Sequence, residues 1–146
     1  MSHSYIKIWI HAIWATKNRQ PMITQDIEKP LFSHMKEELS DCGCYVKIIN
    51  GMPDHVHSLF SINAQKSIGD VIKQVKGGAS HWVNQQNILN AKFAWQTGYA
   101  AYSVSESQLQ KVFDYIKNQK EHHAKNTFQQ EYENFIKLHH LENKGD

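Results

Sequence analysis

The residues best suited to chemistry are His55 and His57, one residue apart, directly after a Gly-Met-Pro-Asp turn. Side chains at i and i+2 of a strand point to the same face. His55 and His57 would therefore present two imidazoles side by side while Val56 turns into the core. Two imidazoles are half of a metal site, which needs a third protein donor and open positions before it supports chemistry. Farther along, Tyr115 and Gln119 stand four apart in "FDYIKNQKEHH", a spacing that brings a phenol and an amide oxygen to one face of a helix. An amide carbonyl suits a hard divalent ion, Mg2+ or Mn2+. Beside such an ion a phenolate can attack phosphorus as a covalent nucleophile. Each piece alone has a plainer reading. His-x-His can be a hydrogen-bonded surface pair, Tyr115 a core neighbour of Val112, Phe113 and Ile116, and His122 with His123 cations at a helix C-terminus. Only the joint pattern points to a site.

The elements that must position these groups follow from periodicity. "SYIKIWIHAIWATK" alternates as a strand does, and "NRQPMI" is a loop. Residues 24–41 carry Ile27, Leu31, Met35 and Leu39 at helical spacing, with Thr24 as N-cap and Pro30 predicting a late start or a kink. "CGCYVKIIN" and "HVHSLFSIN" read as strands joined by "GMPD" into a hairpin. "SIGDVIKQVKGGASHWVNQQ" is a helix capped by Ser67, buried along Ile68, Ile72 and Val75. Its Gly77-Gly78 marks a break or a close backbone approach. "FAWQTGYAAYSVS" is a fourth strand. "SESQLQKVFDYIKNQKEHHAK" opens with a capping box, Ser105 with Gln108 or Ser107 with Gln110, and continues as an amphipathic helix. "FQQEYENFIKLHHL" is a last helix. The order β-α-β-β-α-β predicts an α+β, ferredoxin-like (split β-α-β) antiparallel sheet with helices on one face, plus a C-terminal helix bearing the tyrosine.

A length of 146 residues predicts one domain, 1–146. Sixteen Lys and Arg against 14 Asp and Glu leave a net charge of +2, so a nucleic-acid surface must come from local clusters. Lys17 and Arg19 in the first loop, and Lys73 and Lys76 ahead of the glycine pair, are the candidate phosphate contacts. Solvated surface lysines are the plainer alternative. Trp14, Trp82 and Trp95 could stack on unpaired bases, although tryptophans at such periodic positions are more often core. The only cysteines, Cys42 and Cys44, flank Gly43, which predicts a reduced, cytoplasmic protein rather than a disulfide scaffold. A Cys-x-Cys metal site would need a second thiol pair. The N-terminal stretch has no signal-peptide pattern, and nothing approaches the roughly 20 apolar residues that cross a bilayer.

"MPDHVHSLF", then "WQTGYAAYSVS", then "YIKNQKEHH" resemble, in that order, the single-tyrosine transposases of the IS200/IS605 type. "IWATKNRQP" resembles that family's first strand and following loop, and the likeness runs from about Tyr5 to about Tyr132. The resemblance implies a metal held by His55, His57 and Gln119, a nucleophilic Tyr115 and a ferredoxin-like core. It also implies a homodimer and single-stranded DNA with a subterminal hairpin as substrate. In such a dimer the tyrosine helix would cross to the partner, leaving its own core near residues 103–107. REP-associated transposases share this core, and the chain lacks the longer basic C-terminal extension of many of them. Rolling-circle initiators and relaxase-like nickases share the paired histidines but usually carry further domains. A non-catalytic nucleic-acid-binding module of the same fold would have no need of Tyr115.

Overall fold

The computed structural model describes residues 4–121 together with Gln130, Glu133 and Lys137. Four strands form one sheet, β1 (Trp9–Ala15), β2 (Tyr45–Met52), β3 (His55–Ser61) and β4 (Ala100–Val104). They lie in the order β2-β3-β1-β4, and every neighbouring pair is antiparallel. Helices α1 (Gln25–Asp41), α2 (Ile68–Gln86) and α3 (Leu109–Lys117) complete the chain order expected of the ferredoxin-like fold.

Alternation along the strands divides the side chains between two cores. Ile10, Ala12, Trp14, Val46, Val56 and Phe60 face α1 and α2, where they meet Ile27, Leu31, Met35, Val71, Ile72 and Val75. On the opposite face Trp9 and Leu59 join Val104, Val112 and Ile116 beneath α3. The two-helix layer thus covers one face of the sheet, and the tyrosine helix lies on the other.

Helix α1 begins after Thr24, as its spacing predicts, and runs through Pro30 without a break. Thr24 makes no side-chain cap bond, whereas Ser67 accepts from the Asp70 amide and caps α2. The glycine pair does not interrupt α2. A Cβ at Gly78 would meet the Glu38 carboxylate of α1, the movable end of a side chain, so Gly78 marks a side-chain contact with α1.

Two expected features differ. Neither capping box forms ahead of α3: Glu106–Gln108 make a 3-10 turn, and Ser105 and Ser107 hydroxyls bond each other at 3.1 Å instead. The expected fourth strand is cut to Ala100–Val104. Residues 93–96 serve the loop after β1 instead: Trp95 bridges Thr16, and the Lys17 amide bonds the Ala94 carbonyl. Tyr132, the paired histidines 122/123 and 139/140, and the expected last helix fall outside the described residues, apart from single helical positions at Gln130, Glu133 and Lys137.

Candidate active site

The histidine strand starts from a tightly tied turn. β2 extends through Gly51 and Met52, so only Pro53 and Asp54 form the connection to β3. The Asp54 carbonyl accepts from both the amide and the hydroxyl of Thr16, and the Pro53 carbonyl accepts from the Ile23 amide. Gly51 lies opposite Val56, and a Cβ there would collide with the His55 carbonyl. The hairpin can close this tightly only with glycine at that position.

Alternation then sends His55 and His57 to the α3 face, both 1% exposed, with ring centroids 5.3 Å apart. Each is held through Nδ1. His55 Nδ1 meets Asp54 Oδ1 at 2.7 Å, and His57 Nδ1 meets His11 Nε2 at 2.9 Å. Burial alone would raise the Asp54 carboxyl. The bond and charge of His55, with the nearby Arg19 guanidinium (3.6 Å), outweigh burial and hold it below the ordinary carboxylate value.

Helix α3 brings the other pair. The Tyr115 ring lies 5.8 Å from that of His57 at 72°, with its hydroxyl buried. After a turn at Asn118, Gln119 is wholly buried, and its Nε2 donates to His55 Nε2 at 3.3 Å. Gln119 Oε1 is buried with no hydrogen-bond partner among the described residues. An orphaned carbonyl oxygen carries a desolvation penalty of about 1–3 kcal/mol. Turned toward a hard cation, that amide would relieve the penalty and add an oxygen to the two imidazoles. Among the described residues no three His, Cys, Asp or Glu side chains converge as a metal cluster. The residues present fit Mg2+ or Mn2+.

The end of α3 is clasped to its own sheet. Asn50 Nδ2 donates to the carbonyls of Ile116 (3.0 Å) and Lys117 (3.3 Å). Lys120 reaches the Gly51 carbonyl at 2.6 Å and pairs with Glu28. The tyrosine helix sits over the histidines of its own chain.

The four candidate DNA contacts are dispersed. Lys17 and Lys73 are exposed, and Arg19 pairs with Asp54 beside the site. Lys76 is turned inward, donating to the carbonyls of Gln96 and Gly98 at 2.8 Å each, and burial lowers its pKa. The tryptophans are packed. Trp14 is core, Trp95 stands edge-on to it and donates to the Lys76 carbonyl, and Trp82 stacks on His34. Cys42 and Cys44 are free thiols buried in the α1/α2 core, on the far side of the sheet from the histidines.

Sequence reasoning missed His11, Asp54 and the Asn50–Lys120 clasp. Asp54 had a signal, since a carboxylate next to a ligand histidine is its natural partner. His11 had none without the register of β1 against β3.

Paired strand histidines thus face a tyrosine on a covering helix, over a ferredoxin-like sheet. The chain matches the family model described as "Transposase IS200 like" over residues 4–119 and belongs to that family. It is 27% identical to the ISDra2 transposase TnpA of Deinococcus radiodurans over 114 residues, 75% of this chain and 81% of that protein. The crystal structure of a D. radiodurans R1 protein described as a transposase superimposes with a TM-score of 0.65 at 26% identity, covering 82% of this chain and 96% of that one. A REP-associated tyrosine transposase bound to a REP hairpin shares the fold, with a TM-score of 0.62 at 16% identity over 84% of this chain and 73% of that one. The protein is a transposase of the IS200-like, single-tyrosine family. No helix among the described residues is long and apolar enough to cross a membrane.

Proposed function

We propose that the protein cleaves and rejoins single-stranded DNA through a phosphotyrosine link on Tyr115. The observation that carries this reading is the meeting of the half-buried Tyr115, through its buried hydroxyl, with the buried Gln119, His55 and His57. His55, His57 and Gln119 would hold Mg2+ or Mn2+, which when bound polarises a scissile phosphate. Tyr115 Oη forms the bond to phosphorus as the phosphorus–O3′ bond breaks. This gives a 5′-phosphotyrosine and a 3′-hydroxyl, with the phenol proton passing to solvent and a proton returning to the leaving oxygen. Attack by a 3′-hydroxyl on the phosphotyrosine restores a phosphodiester and frees the tyrosine. Phosphodiester bonds are conserved, so no external energy source is needed. His11, Asp54 and the Asn50 clasp keep the reacting side chains in place, and such positioning lowers the barrier by holding the reactants in a near-attack geometry.

The substrate class is proposed to be single-stranded DNA carrying a hairpin. The hairpin-bound relative of the same fold supports this. We further propose a homodimer, with Lys17 and Lys73 as phosphate contacts. Labelled hairpin DNA should give an adduct that survives denaturation, and Tyr115→Phe should give none. An adduct retained by that variant, or mapped to Tyr132, would remove the assignment. His57→Ala should abolish cleavage and leave hairpin binding near wild type. Gln119→Ala should be milder, because water can fill a vacated oxygen position on a hard ion.

A further inference from the structure

Resting on the metal reading above, we infer that His11 is a positioning residue that dictates which nitrogen of His57 faces the metal. His11 lies on β1, in register with Leu59 and so diagonal to His57, whose direct partner is Ile13. Its side chain is wholly buried, and Nε2 stands 2.9 Å from His57 Nδ1 with the rings tilted by 35°. β1 is paired on both sides, with β3 and β4, so the backbone beneath His11 is fixed.

Two neutral imidazoles joined nitrogen to nitrogen share one hydrogen, and it can sit on either ring. If His11 donates, His57 must carry its own proton on Nε2 and has no lone pair there for a cation. If His57 donates from Nδ1, its Nε2 becomes the ligand atom and His11 acts as a neutral acceptor, protonated on its own Nδ1. Only the second arrangement builds a metal site.

His55 shows the same logic with a different partner. Its Nδ1–H is taken by the Asp54 carboxylate, and its Nε2 accepts from the Gln119 amide, as an Nε2 lone pair requires. The two histidines are thus oriented by unlike groups, a carboxylate and an imidazole. Both arrangements leave Nε2 as the nitrogen for the ion.

The test uses the full chain. The nitrogen-15 shifts of His57 in metal-free protein report its tautomer, and a Mn2+ titration followed by the EPR signal of free Mn2+ reports affinity. Wild type should show the Nδ1–H form of His57. His11→Phe keeps a ring but removes the acceptor. It should lose that fixed tautomer and bind Mn2+ about 10–100-fold more weakly, the usual cost of removing a partner behind a metal ligand. His11→Gln supplies an amide oxygen in place of the imidazole acceptor and should recover most of the affinity and the Nδ1–H form. Unchanged tautomer and affinity in His11→Phe would overturn the inference. So would His11→Gln behaving like His11→Phe, which would make His11 a packing residue. Wild-type protein that binds no Mn2+ yet shows the Nδ1–H form, lost in His11→Phe, would keep the His11 assignment and overturn the metal reading instead.

Discussion

The two faces of the sheet are made by the same residues in alternation, yet they are built for different ends. Toward α1 and α2, strands β1 and β3 present Ile10, Ala12, Trp14, Val56 and Phe60, and the one polar intruder, Ser58, is tied to the Ala12 carbonyl. Toward α3 the same strands present Trp9, His11, His55, His57 and Leu59. The first face is covered by helices of 17 and 19 residues, the second by one of 9. A buried polar group costs about 1–3 kcal/mol unless bonded, and the α3 face buries His11, His55, His57 and Gln119 together. The apolar face supplies the surplus that lets the other carry groups chosen for chemistry.

This division should break most clearly when the same strand is changed on either face. Phe60→Ala should destabilise the protein by about 3–5 kcal/mol, the usual range for an aromatic removed from a packed core. His57→Ala, three residues away, should cost about 1–2 kcal/mol, mostly through the stranded His11 nitrogen. Urea denaturation separates the two. Equal losses would mean that stability is shared evenly between the faces.

The Lys76 substitution sharpens the comparison on the helical side. Its ammonium holds the Gln96 and Gly98 carbonyls, so Lys76→Met should loosen that loop and cost about 1–2 kcal/mol, with ammonium desolvation offsetting part of the lost bonds. Lys73 is exposed, and Lys73→Ala should instead leave stability alone and reduce the salt dependence of DNA binding by about one counterion. Reversed results would restore Lys76 as a phosphate contact.

Much of this was readable from the sequence, for a physical reason. Strand and helix periods sort side chains before any packing is known, so the shared face of His55 and His57 and the four-residue step from Tyr115 to Gln119 both followed. What was hidden depends on register. His11 is one histidine in an apolar strand until β1 is aligned with β3. Asn50 is a strand asparagine until the end of α3 arrives. Lys76 resembles any helix-surface lysine until the 96–98 loop folds over it. The capping box failed because Ser105 and Ser107 bond each other in a 3-10 turn, a local competition that the pattern does not reveal.

The Asn50 clasp allows a smaller test of how the tyrosine helix is held. Asn50→Ala removes both bonds to the helix end and should cost about 1 kcal/mol, felt locally as faster amide exchange along α3 with β1 and β3 unchanged. A mixing experiment distinguishes own-chain from crossed helices in the proposed dimer. With own-chain helices, His57→Ala chains mixed with Tyr115→Phe chains, after subunit exchange, recover no cleavage. Crossed helices would restore about a quarter of wild-type sites, since half of the dimers are mixed and each holds one intact site.

The smallest effect comes from the thiols on the apolar face. Burial is the main cause raising both, with the neighbouring Cys44 adding to the shift of Cys42, while the Asn63 bond and Lys66 pull Cys44 partly back. A thiol whose folded pKa lies above its unfolded value holds its proton longer in the native state. The stability it contributes is fully present below the unfolded pKa, near the ordinary value of 9.0, and is lost as pH rises through the folded one. Denaturation midpoints should therefore fall as pH rises above about 9, and the double variant Cys42→Ala/Cys44→Ala should remove that part of the slope. The same variant should leave DNA cleavage at neutral pH untouched, because neither thiol reaches the face that holds the histidines. A loss of cleavage at equal stability would show that the two faces are coupled through the sheet.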